Sequence, residues 1–73
     1  MESMPILHAN RLFTILFEDD LAFTEVRAVL DHLLDRNAFR DDVRESDIEY
    51  HIDLDQASFD VWVHEMDVII QRR

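Results

Sequence analysis

Seventy-three residues make one domain at most, with a single modest core, and an apolar content of 48% is enough to fold it. Asp and Glu number 17 against seven arginines and no lysine, a formal charge of −10 that disfavours nucleic-acid phosphates and membrane surfaces and favours basic protein surfaces; the same acidity also serves solubility or a salt-rich setting. The lack of cysteine excludes a disulfide framework and a thiolate zinc site, and no apolar run is long enough for a membrane span.

Residues 1 to 10, "MESMPILHAN", begin with an acid and show no basic region before an apolar one, so they do not read as a signal peptide. With no periodicity and a proline at Pro5, they are expected to form a loose leader. "RLFTILFE" (11 to 18) is rich in β-branched and aromatic residues and predicts a strand with apolar residues on both faces. Asp19 or Asp20 then offers an N-cap. Phe23, Val26, Leu30 and Leu33, reinforced by Val29 and Leu34, recur at helical spacing and predict a helix from about 20 to 36. "AFRDDVRESD" (38 to 47) is a charged connection in which Phe39 and Val43 are candidates for pinning the loop to the core.

"DIEYHIDLDQASFDVWVHE" (47 to 65) alternates in a way that predicts a hairpin. With "DQAS" (55 to 58) as the loop, Leu54 pairs with Phe59, Ile52 with Val61 and Tyr50 with Val63, all apolar and all on one face. The other face pairs Asp53 with Asp60, His51 with Trp62 and Glu49 with His64. One register sorts both strands at once, as a half-buried hairpin requires. A competing helical stripe runs through Phe59, Trp62, Val63, Met66, Ile69 and Ile70, capped by Asp55 or Ser58, and a strand followed by a short terminal helix is a third possibility. Residues 67 to 73 read as a solvated tail ending in "QRR".

The expected fold class is therefore α+β: a β-α-β-β domain over residues 11 to 66, with a three-stranded antiparallel sheet and one helix on one face. The third strand, apolar on both faces through "VWV", would lie between the other two. The uncovered face would carry Trp62 with either the Phe13/Ile15/Phe17 set or the Leu12/Thr14/Leu16 set. The expected partner-binding residues are Glu49, His51, Asp53, Asp60, Trp62 and His64: an apolar centre with an acidic rim, as protein-binding surfaces are built.

Chemistry of other kinds finds less support. His51 and His64 fall on a cross-strand diagonal with Glu49 and Asp53 in reach, but no local ligand motif accompanies them, and no metal or cofactor is expected. A chain without glycine has no phosphate-cradling loop, and so thin a domain has little room for a deep pocket, so no enzyme is expected either. Asp53 and Asp60 opposite one another would repel, as carboxylates frayed at a wet hairpin end or as charges awaiting a partner's arginine or lysine. Trp62 is either core or, facing outward, an interface anchor. Two binding functions follow: a regulator docking on a basic surface of a larger machine, or a nucleic-acid mimic whose carboxylates stand in for phosphates. Mimicry needs acids in phosphate-like rows, and here they are spread among arginines and apolar residues.

In length, lack of cysteine, strong acidity and a single compact unit, carried by "RLFTILFEDDLAFTEV" followed by "DIEYHIDLDQASFDVWVHE", the chain resembles the very small host-takeover proteins of lytic bacteriophages. Within them it looks most like the small phage inhibitors of bacterial RNA polymerase. The resemblance implies binding to the large β and β′ subunits, displacement of the σ factor and inhibition of initiation, in the host bacterial cytoplasm. No diagnostic motif carries it, so it assigns no residue a role. From charge and size the chain is expected to be monomeric or weakly dimeric and to bind no nucleic acid and no membrane.

Overall fold

The computed structural model describes residues 1–36, 48–55 and 57–73. Its elements run β1 (Glu2–His8), β2 (Arg11–Phe17), α1 (Phe23–Asp35), β3 (Ile48–Asp53), β4 (Ser58–His64) and β5 (Asp67–Arg72). The class is α+β, but the sheet has five strands in the order β1-β2-β5-β4-β3, and it is mixed: β2 and β5 are parallel, all other neighbours antiparallel. The three-stranded antiparallel sheet is therefore corrected at two places. Residues 1 to 10 hold a strand, because Met4 and Ile6 alternate with Ser3, Pro5 and Leu7 and pack against the core. Residues 67 to 73 hold another, in which Val68 and Ile70 are fully buried. It is β5, not β4, that lies against β2.

The helical reading of 59 to 70 is overturned at Glu65. Its φ of 51° turns the chain back after His64, and β5 pairs antiparallel with β4. Both runs then bury alternate residues: Phe59, Val61 and Val63 on β4, Val68 and Ile70 on β5. The apolar spacing that mimicked a helical stripe was two strands meeting at a tight turn.

Helix α1 buries Val26, Val29, Leu30 and Leu33, the i, i+3, i+4, i+7 stripe of an amphipathic helix, against one face of the sheet. It begins at Phe23 with Ala22 as N-cap, not at Asp19 or Asp20. The alanine methyl accepts no hydrogen bond, so only half of a capping box forms: Glu25 Oε1 accepts from the Ala22 N–H at 3.1 Å. The core it closes contains Phe13, Ile15, Ile52, Phe59, Val61, Val63, Val68 and Ile70 and, among the described residues, no charged or polar one. Among the described residues no helix is long and apolar enough to cross a membrane. Phe39 and Val43 lie outside the described residues.

The hairpin register differs from the expected one by two residues. Ile52 pairs with Phe59, Tyr50 with Val61 and Ile48 with Val63. The Leu54 N–H donates to the Ala57 carbonyl at 2.8 Å, so the hairpin closes earlier than a loop over 55 to 58 allows. A slip of two preserves the faces, because side chains alternate with period two. What it changes is who stands opposite whom.

Candidate functional site

With α1 on one face, the other face of the sheet is left uncovered among the described residues. Alternation sends Leu12, Thr14 and Leu16 of β2 to that face, while Phe13 and Ile15 go to the core, which settles the choice left open by the sequence. All six expected partner-binding residues, Glu49, His51, Asp53, Asp60, Trp62 and His64, also take this face, since they alternate with the buried Ile52, Phe59, Val61 and Val63.

Register lines place them more closely. One transverse row reads Ser3, Leu16, Ile69, Trp62, Glu49 across β1, β2, β5, β4 and β3. Its centre is an apolar bar, Leu16–Ile69–Trp62, on three neighbouring strands, and each of the three is half-buried. Adjacent strands are about 4.8 Å apart, so the bar is roughly 10 Å long. The row on one side holds Thr14, Asp67 and His64; the row on the other holds Gln71, Asp60 and His51. Glu49 stops the bar at the β3 end. A second apolar spot, the facing pair Leu7 and Leu12, is 71% and 62% exposed beside the β1–β2 turn. Ile69 is the residue the sequence does not reveal, because 67 to 73 reads as a tail; Leu16 belongs to one of the two sets the sequence offers beside Trp62, and β5 now separates the two.

The corrected register also redistributes the polar contacts. Asp53 faces Ser58 and accepts its hydroxyl at 2.6 Å; Asp60 faces His51, with Nδ1 2.6 Å from Oδ1. The expected Asp53–Asp60 repulsion is thus replaced by two favourable pairs. Arg73 Nε lies 3.4 Å from the same Asp60 oxygen, so the "QRR" end returns to the sheet face. His64 stands four residues along β4 from Asp60, next to Glu65 at 4.0 Å, and the His51–His64 diagonal does not form.

Glu49, His51 and Asp60 do offer donor atoms within 4.8 Å of one another. Yet His51 turns Nδ1 towards Asp60 and Nε2, at 3.9 Å, towards Glu49, so its two nitrogens serve different carboxylates. A cation held by both acids through one imidazole nitrogen would need the ring and Glu49 to be rearranged, and Arg73 already places positive charge on Asp60. The trio is accounted for as an exposed ion-pair network.

Comparison with protein-family models, with curated proteins and with solved structures finds no match. The surface has therefore to be read from its own chemistry.

Each sheet edge is blunted against strand addition at one position. The Thr14 N–H donates to Met66 on the β5 side at 2.8 Å, so Thr14 and its partner Pro5 form a non-hydrogen-bonded pair and the main chain of Pro5 faces outward. Proline has no N–H to offer there, which blunts the β1 edge. On β3, Arg36 Nη1 donates to the outward carbonyl of His51 at 3.3 Å.

Proposed function

We propose that the chain is a small acidic protein-binding regulator that docks, through the uncovered sheet face, on a basic surface of a larger protein. The apolar bar Leu16–Ile69–Trp62 with its rim of Glu49, Asp60 and Asp67 carries this reading. An apolar centre excludes water and supplies affinity, while rim charges steer the encounter and select partners of opposite sign. Following the resemblance of the sequence to small phage inhibitors, the proposed partner is bacterial RNA polymerase at its β and β′ subunits. The proposed effect is displacement of σ and block of initiation, in the host cytoplasm. An affinity pull-down from a bacterial lysate, followed by σ-release and initiation assays with purified polymerase, tests it. Recovery of core polymerase with loss of bound σ supports the assignment; unchanged σ occupancy at saturating inhibitor removes it.

Nucleic-acid mimicry is the second reading. Against it, the acids of the uncovered face surround an apolar bar and do not stand in phosphate-like rows. Mimicry predicts that many unrelated DNA-binding proteins are blocked, and docking predicts that one is.

A further inference from the structure

Resting on the docking reading above, we infer that the occupant of the uncovered face is an amphipathic helix of the partner, lying across the strands along Leu16–Ile69–Trp62, with Arg or Lys on both flanks of its apolar stripe. Three features select this occupant. First, the missing N–H at Pro5 on one edge and the occupied His51 carbonyl on the other disfavour an extended segment pairing through its main chain. Second, the apolar residues run across β2, β5 and β4 in one row rather than along one strand. A length of roughly 10 Å corresponds to about two helical turns at 5.4 Å each, which is an i, i+3 or i+4, i+7 stripe.

Third, acids stand on both sides of the bar. Residues two apart on a strand are about 6.7 Å apart, so Asp67 and Asp60 lie in rows separated by roughly 13 Å. A helix with side chains is 10–12 Å across. Seated on the bar it brings residues on both flanks over those rows, so its basic residues meet Asp67 on one side and Asp60 on the other, while Glu49 stands at the β3 end of the bar. A second copy of the chain fits poorly, because a net charge of −10 on each copy opposes the approach of two such faces.

Trp62 is the chain's one tryptophan, so its emission reports directly on this face. The probe is an 18-residue peptide of leucine, alanine and arginine, with a continuous leucine stripe flanked by arginines. A scrambled peptide of the same composition lacks the stripe. The expected result is saturable binding of the striped peptide with a blue shift of Trp62 emission, and at least ten-fold weaker binding of the scrambled one. Ile69→Asp should weaken the striped peptide ten-fold or more with an unchanged circular dichroism spectrum, and Asp67→Asn should flatten its salt dependence. Should Ile69→Asp perturb the fold, Leu16→Ser provides the same comparison. Equal affinity for both peptides, or binding without a blue shift, overturns the helix. A blue shift that grows with protein concentration alone, matched by dimer mass in sedimentation, assigns the face to a second copy instead. If the peptide fails while a basic protein partner is still lost on Trp62→Ala, the helix is wrong and the docking reading stands. If Trp62→Ala leaves that partner's binding untouched, the docking reading itself fails.

Discussion

Arg72 Nη2 lies 2.7 Å from both carboxylate oxygens of Glu25, tying the last strand to the first turn of the helix across 47 residues of chain. The same carboxylate accepts the Ala22 N–H, and this bond, followed by that to Arg72, holds its pKa below the ordinary glutamate value. A carboxylate depressed in the folded state contributes stability above its unfolded pKa and loses it as pH falls through the folded one. Glu25→Gln should therefore lower the urea midpoint at neutral pH, and the gap to wild type should close as pH falls below the usual glutamate range. Parallel midpoint curves down to acid pH would show that the contact adds nothing.

The place of β5 makes a second expectation sharp. It bridges β2 and β4, so removing it divides the sheet into two hairpins and exposes Ile15, Val61 and Val63. A chain ending at Met66 should lose cooperative unfolding and its near-ultraviolet circular dichroism. A truncated protein with a sharp melting transition would mean that 67–73 is a tail after all.

Much of this was legible in the sequence because period and register are local. The stripe Val26, Val29, Leu30, Leu33 marks α1, and the alternation of 48 to 64 sorts both hairpin faces even with the pairing two residues out. The terminal strands were not legible. In β1 a proline interrupts the pattern, and it is tolerated only because its pair with Thr14 makes no hydrogen bond, a fact of register. In β5 the run Val68, Ile69, Ile70 continues the spacing of Phe59, Trp62 and Val63 as a helix would. Only the left-handed turn at Glu65 separates the two, and nothing in a glutamate signals it. The site inherited the same gap: the acidic rim was visible, but the bar completed by Ile69 depends on β5.

Those turns give a third test. Ala9 and Asn10 take φ of 52° and 63° between β1 and β2, and Glu65 takes 51° between β4 and β5, in a chain without glycine. The left-handed region costs ordinary residues roughly 1–2 kcal/mol, and asparagine much less. Asn-Gly is the favoured pair for a two-residue turn with both φ positive. Replacing Ala9→Asn together with Asn10→Gly, or Glu65→Asn alone, should each raise stability by about 0.5–1 kcal/mol in urea unfolding. A loss in either variant would show that the turn does not hold its left-handed residues in solution.

Leu33 is fully buried between helix and sheet. Leu33→Ala should cost about 2–5 kcal/mol, the range for a core leucine, and leave much of so small a domain unfolded at room temperature. Leu34, the next residue, is 41% exposed and points off the stripe; Leu34→Ala should cost well under 1 kcal/mol. Equal losses at the two positions would place the helix in a different rotation.

Trp62 separates fold from function most directly. Val61 and Val63, its neighbours on β4, are fully buried under α1, whereas Trp62 stands half-buried on the opposite face between Ile69 and Glu49. Val61→Ala or Val63→Ala removes core volume and should cost on the order of 1–3 kcal/mol of stability. Trp62→Ala leaves that core intact and removes cross-strand pairs with Ile69 and Glu49, pairs of the kind that contribute roughly 0.2–1 kcal/mol each. In partner binding the order should reverse. A tryptophan at the centre of an interface carries about 2 kcal/mol or more, so Trp62→Ala should raise Kd some thirty-fold, while a valine variant that remains folded binds normally. Asp60→Asn offers the control: it gives up a contact with His51 and Arg73, so it should not stabilise the isolated protein, and its effect on binding should appear mainly in the association rate and shrink with added salt. If Trp62→Ala destabilises as much as Val61→Ala does, the ring belongs to the core, and the uncovered face has no anchor.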